Sequence, residues 1–138
     1  MKKAFWFSLF YLIFGLSFGV FYREFTKIMD FKGNTALSFV HPHILSLGFL
    51  FFIIIIVLDR IFDLSNHKSY KVFLVIYNIG LLISILAMAC RGILDVTGID
   101  FNSLSYIAGV GHIITAVGLG FFMRSLLLSI RAKKQESR

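Results

Sequence analysis

Residues 39–58 read FVHPHILSLGFLFFIIIIVL, a nearly unbroken apolar run that opens on His41, Pro42 and His43. A helix of this length covers about 30 Å, the thickness of the hydrocarbon core of a bilayer. Because an imidazole is expensive to place in or beside hydrocarbon, histidines at the end of such a run need a partner or a task. The run therefore predicts a membrane-spanning helix with functional side chains near one end.

Three further apolar runs lie at 4–22, 70–90 and 104–130. The chain has 138 residues, of which 58% are hydrophobic and 15% are charged, and it is too apolar for a soluble domain of this size. We therefore predict an all-α integral membrane four-helix bundle that forms a single domain over residues 1–138, with 39–58 as the second of its four spans.

Lysine and arginine are distributed unevenly among the segments between these runs. The amino terminus, the second loop and the carboxyl terminus are rich in them, whereas the other two loops are poor. The first group is Lys2, Lys3, Arg60, Lys68, Lys71, Arg131, Lys133, Lys134 and Arg138, and the second is Arg23, Lys27, Lys32 and Arg91. Because basic residues favour the cytoplasmic side, both termini are predicted to lie inside (N-in and C-in). The net charge of +7 is thus ascribed to topology, and no nucleic-acid partner is expected.

Two other features limit the possible functions. A lysine pair before an apolar run also describes a secretory signal peptide, but the run is long for one and no small-x-small cleavage site follows, so a retained helix is expected. Cys90 is the single cysteine, which excludes a disulfide or a thiolate cluster within one chain. No nucleophile with a base, carboxylate pair or phosphate loop supports a hydrolase or kinase, and the sequence leaves open whether the protein is an enzyme.

Helix packing and helix ends are also indicated by the sequence. Gly15 and Gly19, four residues apart, predict a close approach of another helix to the first span. The helical spacing continues beyond Tyr22 and is expected to stop at Gly33. The expected caps and outer-loop residues are Asn34, Thr35 or Ser38 for the second helix, Asn102 or Ser103 for the fourth, and Gly92, Asp95, Gly98 and Asp100 in the loop between the third and fourth.

The fourth run carries a lone histidine among small residues. Gly109, His112, Ala116 and Gly120 recur at three-to-four spacing, so that one face of the predicted helix is nearly smooth apart from a single imidazole. Such a face suits either a flat ligand or a very close helix.

Depth decides whether the histidines of the second and fourth helices can act together. At about 1.5 Å per residue, His43 lies about 8 Å outward of the midpoint of its run, and His112 lies about 7.5 Å outward of its own. One histidine from each of two helices at a common height is the arrangement that bis-imidazole ligation of a b-type haem requires. We therefore predict a haem b site near the outer face. Its predicted cofactor-binding residues are His43, His112, His41, Arg91, Gly109 and Ala116, with Arg91 at the anionic propionates.

His41 and His43 are expected to differ in role, because positions two apart in a helix point about 200° apart. By depth, His43 is predicted to meet the cofactor and His41 to face the outer interface. Two alternatives remain open. His41, His43 and His112 could hold zinc or copper without a porphyrin, or the histidines could serve hydrogen bonding in a cofactor-free structural or transport subunit. The expected partners are the lipid bilayer and a redox partner or a second copy of the chain.

The segment from His41 to Gly48, His-Pro-His-Ile-Leu-Ser-Leu-Gly, resembles the His-x-His helices that bind haem in the haem-copper oxidase superfamily. The length, the four spans and the Gly-Val-Gly-His at 109–112 resemble a family of short bacterial membrane proteins of unknown function. The first resemblance implies that His41 and His43 are haem or metal ligands, and the second implies a multi-pass protein of a bacterial cytoplasmic membrane. A full oxidase core has more helices and further histidines for copper, so the resemblance implies a haem-binding fragment used in electron transfer, haem handling or gas sensing.

Overall fold

The computed structural model describes residues 2–99 and 103–136, which form four long helices. They are α1 (Lys2–Ile28), α2 (Leu37–Phe62), α3 (Lys68–Thr97) and α4 (Leu104–Glu136). Each is long and apolar enough to cross a membrane, so the protein is an all-α, multi-pass membrane four-helix bundle. We call the end of the bundle at the α2–α3 turn the inner end, and the opposite end the outer end.

Every helix extends beyond the apolar run that predicted it. The first continues to Ile28, as the spacing past Tyr22 indicated. The third continues to Thr97, so the prediction that Gly92 and Asp95 belong to the outer loop is wrong. Both residues contact α2: the Gly92 carbonyl accepts a hydrogen bond from Thr35 Oγ1 (2.7 Å), and the Asp95 carboxylate accepts one from a backbone N–H of α2. These contacts stabilise the last two turns of α3, which lie beyond the apolar run and could not be predicted from its hydropathy.

The start of α2 is capped from another helix. Ala36 occupies the N-cap position without a side-chain cap, and its N–H donates to Asp95 Oδ2 of α3 (2.9 Å). Thr35, one of the three predicted caps, accepts a weaker bond from the Leu37 N–H (3.2 Å). For α4, the predicted cap Ser103 directly precedes the helix, whereas Asn102 and the loop residue Asp100 lie outside the described residues.

The interface between α3 and α4 is the most extensive in the bundle, and glycines make it close. A Cβ on Gly80 would lie 2.4 Å from Thr115 N, and one on Gly118 would lie 2.8 Å from Tyr77 Cα. A side chain larger than hydrogen would therefore force these two backbones apart. On the other side of the bundle, α1 packs on α2, where Gly15 meets Leu45, as the sequence predicted.

An aromatic cluster fills the inner half of the bundle and joins three helices. Phe51 of α2 contacts Phe73 and Tyr77 of α3 and Phe122 of α4, with the Phe51 and Phe122 ring centroids 5.7 Å apart. The Tyr77 hydroxyl donates to the Leu47 carbonyl of α2 (2.8 Å). This cluster fixes the relative height of α2 and α4, which is needed to place the histidines.

Directly after His43, the α2 helix changes its winding. Pro42 lies inside the helix, and the seven residues Ile44–Leu50 are wound as a π-helix before regular α-helix resumes at Phe51. Proline has no N–H to donate within the helix, which loosens the local bonding pattern. The Ser46 hydroxyl donates to the Pro42 carbonyl (2.7 Å) and supplies one substitute bond. Such π segments are frequent at functional sites.

Candidate functional site

His41 is held between α1 and α2. Its Nδ1 lies 3.0 Å from the Gly15 carbonyl oxygen, and its ring packs on Gly19, where an added Cβ would come within 3.1 Å of Nδ1. Because a carbonyl can only accept, Nδ1 carries the proton in this bond. The prediction that His41 faces the outer interface is wrong, since the α1 glycines leave a recess that the ring fills.

His43 and His112 share a different arrangement. His43 Nδ1 donates to the Phe39 carbonyl and His112 Nδ1 donates to the Ala108 carbonyl, each at 2.7 Å and each four residues earlier in its own helix. Because a carbonyl oxygen only accepts, this bond fixes the proton on Nδ1 and leaves Nε2 of the neutral ring with its lone pair. Metal-bound histidines are oriented in this way, with one nitrogen donating to a carbonyl and the other on the metal.

The two imidazoles lie beside the faces by which their helices pack in the bundle. On α2, His43 is half-buried and lies about 60° round the helix from buried Val40 and about 200° from His41, which faces α1. On α4, His112 is exposed and lies about 80° round the helix from Phe122, the residue that contacts α2.

The register of the aromatic cluster sets the heights of the two histidines. His112 is ten α-helical residues outward of Phe122, about 15 Å. His43 is eight residues outward of Phe51, but seven of them, Ile44–Leu50, are wound as a π-helix, whose rise per residue is smaller than that of an α-helix, so it lies less than about 12 Å outward. Both histidines therefore lie outward of the contact between Phe51 and Phe122, and their equal depth stays a prediction.

Arg91 has an ionic partner at the outer end of α3. Its Nε donates to Asp95 Oδ1 at 3.0 Å, and the side chain of Arg91 is 40% exposed. The same carboxylate binds the Ala36 N–H through Oδ2, so the pair ties α3 to the start of α2. A role of Arg91 at an anionic ligand stays a prediction, and any such ligand would share the arginine with Asp95.

The small-residue face of α4 points away from the other helices. Gly109, Ala116 and Gly120 are exposed, and an added Cβ on either glycine would meet nothing within 4 Å. The sequence allowed two uses for this face, contact with a flat ligand or close packing against another helix. Within the described part of the chain, no other helix packs against Gly109 or Gly120. Contact of Gly109 or Ala116 with a ligand stays a prediction.

Within residues 2–99 and 103–136, no three or more His, Cys, Asp or Glu side chains are grouped so that they could hold a metal ion. His41, His43 and His112 therefore do not form one cluster of this kind, since His41 faces α1 while His43 lies on the opposite side of α2. The proposed zinc or copper alternative stays a prediction.

Sequence reasoning missed several contacts that shape the site. The α4 face that packs on α3 consists of Gly111, Thr115 and Gly118, whose three-to-four spacing is as regular as that of the predicted face. Gly111 presses on Ser84, whose buried hydroxyl has no hydrogen-bond partner among the described residues. Gly111 directly precedes His112, so this unpaired hydroxyl of α3 lies against the turn of α4 that carries the histidine.

A family model, described as "Protein of unknown function (DUF2871)", matches residues 1–129. Searches of curated proteins and of solved structures gave no match. The match agrees with the resemblance to a family of unknown function that the length, the spans and the residues at 109–112 suggested. Since the match covers nearly the whole chain, the protein belongs to the DUF2871 family.

Proposed function

We propose that this protein binds one b-type haem between the outer halves of α2 and α4, with Nε2 of His43 and Nε2 of His112 as the two axial ligands, and that it carries electrons in the membrane. The observation that carries the proposal is that both imidazoles have the same hydrogen bond and the same protonated nitrogen. Both are protonated on Nδ1 by the same bond geometry and both keep Nε2 for a ligand.

Membrane energetics support this assignment. His112 is exposed on a helix that is otherwise apolar at this height, and a polar ring facing hydrocarbon is unfavourable unless its remaining nitrogen has a partner. A haem iron would satisfy Nε2, and the porphyrin would cover the ring. His43 and His112 both lie outward of the Phe51–Phe122 contact between α2 and α4, and one imidazole from each helix is what an opposed pair of axial ligands requires.

The ligand set favours electron transfer over gas sensing and catalysis. When two imidazoles fill both axial positions, the iron has no open site for a gas or a substrate, whereas it can still change its oxidation state. Bound haem would supply the redox chemistry, while the chain's own residues orient the two imidazoles and exclude water. If both termini are cytoplasmic, as the basic residues predict, the site lies near the outer face of the membrane.

The test is an absorption spectrum of protein purified in mild detergent from cells supplied with haem, recorded oxidised and reduced. We expect the spectrum of a six-coordinate bis-histidine haem with about one haem per chain. His43→Ala and His112→Ala should each remove one axial bond and abolish or shift the spectrum. His67→Ala, in the inner turn, is the matched control and should leave it unchanged.

Two results would overturn the proposal. One is purified, folded protein without visible absorption even after addition of haemin. The other is wild-type haem content and spectrum in both His43→Ala and His112→Ala. Metal analysis of the same samples distinguishes a bare zinc or copper site, which would give metal without a haem spectrum.

A further inference from the structure

A groove between α1 and α3, at the inner end and away from the histidines, combines a basic mouth with an apolar channel. The mouth has a volume of about 190 Å³ and is lined by Lys2, Lys3, Ser65, Tyr70 and Lys71. The channel is an open groove with a volume of about 600 Å³, lined by Lys3, Trp6, Phe10 and Leu82, and Trp6 and Phe10 are exposed. Lys3 lines both parts, so they are neighbours.

The mouth contains a polar group that the described chain does not satisfy. Tyr70 is only 3% exposed, and its hydroxyl has no hydrogen-bond partner among the described residues. A buried donor without an acceptor is unfavourable, and a phosphate oxygen entering the mouth would accept its proton. Asp59 lies nearby but is buried, and it accepts the Ser65 N–H (2.7 Å). The three lysines therefore outnumber the one carboxylate.

The channel has the length and lining of an acyl-chain site. The mouth and the channel together extend along α3 from Lys71 to Leu82, eleven residues or about 16 Å, close to the half-thickness of about 15 Å of the hydrocarbon core. Its wall is aromatic and aliphatic. Its floor is closed by the bond from the Tyr11 hydroxyl to Asn78 Oδ1 (2.7 Å), so these two polar groups are already paired.

From this combination we propose that the groove is a binding site for an anionic phospholipid of the inner leaflet. The headgroup phosphate would lie among Lys2, Lys3, Lys71 and the Tyr70 hydroxyl, and one acyl chain would lie along Trp6, Phe10 and Leu82. Basic pockets between membrane helices are known to select anionic headgroups in this way. Lysines that served only as topology anchors would not need the buried hydroxyl or the channel.

Trp6 gives a direct probe, because it is the single tryptophan of the chain and lies in the channel wall. The protein is reconstituted in phosphatidylcholine vesicles that contain, at equal mole fraction, either brominated phosphatidylglycerol or brominated phosphatidylcholine. Bromine quenches tryptophan fluorescence on contact. We expect phosphatidylglycerol to quench Trp6 at a several-fold lower mole fraction, with each lysine contributing up to about a fivefold preference.

Replacing Lys2, Lys3 and Lys71 together by glutamine should bring the two lipids to equal quenching. The matched control replaces three other basic residues toward the inner end of the bundle, Arg124, Arg131 and Lys134, by glutamine, and it should keep the preference. If the triple variant does not fold, Lys3→Gln and Tyr70→Phe, each expected to reduce the preference, decide the question. Equal quenching by both lipids in the wild type, or an equal loss in the control variant, would refute a specific site.

Discussion

Two glycines of α4 lie on opposite faces of the helix, and the same substitution should affect them in opposite directions. A Cβ on Gly118 would lie 2.8 Å from both Cα and N of Tyr77 and 2.9 Å from its Cβ, whereas a Cβ on Gly120 would meet nothing within 4 Å. Ordinary contacts begin at 3.4 Å, so Gly118→Ala requires α3 and α4 to separate by about half an ångström or more.

The obstacle at Gly118 is backbone, which cannot rotate away as a side chain can. Overpacking of this kind destabilises a protein by about 1–3 kcal/mol, and each 1.4 kcal/mol changes the unfolding equilibrium about tenfold. Gly120→Ala instead removes a flexible residue from an open helical position, where the gain in helix propensity is up to about 1 kcal/mol in water. We therefore expect Gly118→Ala to be clearly less stable than the wild type and Gly120→Ala to be equally or more stable.

The assay is reversible unfolding of the purified protein in mixed micelles of mild detergent and dodecyl sulfate, followed by near-ultraviolet circular dichroism. Gly109→Ala is a second control, because a Cβ there also meets nothing within 4 Å. If Gly118→Ala and Gly120→Ala destabilise the protein equally, the assigned packing face of α4 is wrong. If Gly120→Ala alone is destabilising in a concentration-dependent manner, a second copy of the chain covers that face.

Three further predictions concern the bundle itself. Tyr11→Phe removes the bond to Asn78 Oδ1 (2.7 Å), and it should lower the unfolding free energy by about 0.6–1.7 kcal/mol in the same assay; no measurable loss would contradict a contribution from this pair. Asp95→Ala removes the cap of α2 and should lower the unfolding free energy by about 0.5–2 kcal/mol. Asp95→Asn keeps an oxygen that accepts the Ala36 N–H and should destabilise the protein less. Equal losses of stability in the two variants would show that the ion pair, and not the cap, is responsible. Lys32→Cys, in a background whose native cysteine is serine, should react with a membrane-impermeant maleimide in intact cells, and protection until the cells are opened would reverse the predicted topology.

The helices and their membrane character could be predicted because the signals are local. Hydropathy over about twenty residues decides whether a helix can span a bilayer, and this holds whatever the segment packs against. The close approach at Gly15 was predicted from the same kind of local spacing and is confirmed. The helix ends were less accurate, because the last turns of α3 are held by contacts of Gly92 and Asp95 with α2.

Only some features of the candidate site could be predicted from the sequence. The equal depth of His43 and His112 follows from counting residues along regular helices, and it stays a prediction because the π-helical segment between His43 and Phe51 changes the rise of α2. The direction of His41 could not be predicted, because nothing in its own segment shows that Gly19 of α1 leaves a recess for the ring. The identity of the cofactor and the roles of Arg91, Gly109 and Ala116 stay predictions.

The sequence by itself determined that the chain forms four helices long and apolar enough to span a membrane, because length and hydropathy act within each segment. Only the tertiary structure decided which small-residue face of α4 packs, since both the face of Gly111, Thr115 and Gly118 and the face of Gly109, Ala116 and Gly120 follow helical periodicity. It also decided the cap that Asp95 supplies, 59 residues away in the chain. The physical reason is that a bilayer acts on each helix separately, whereas the choice of packing face depends on the backbone of another helix.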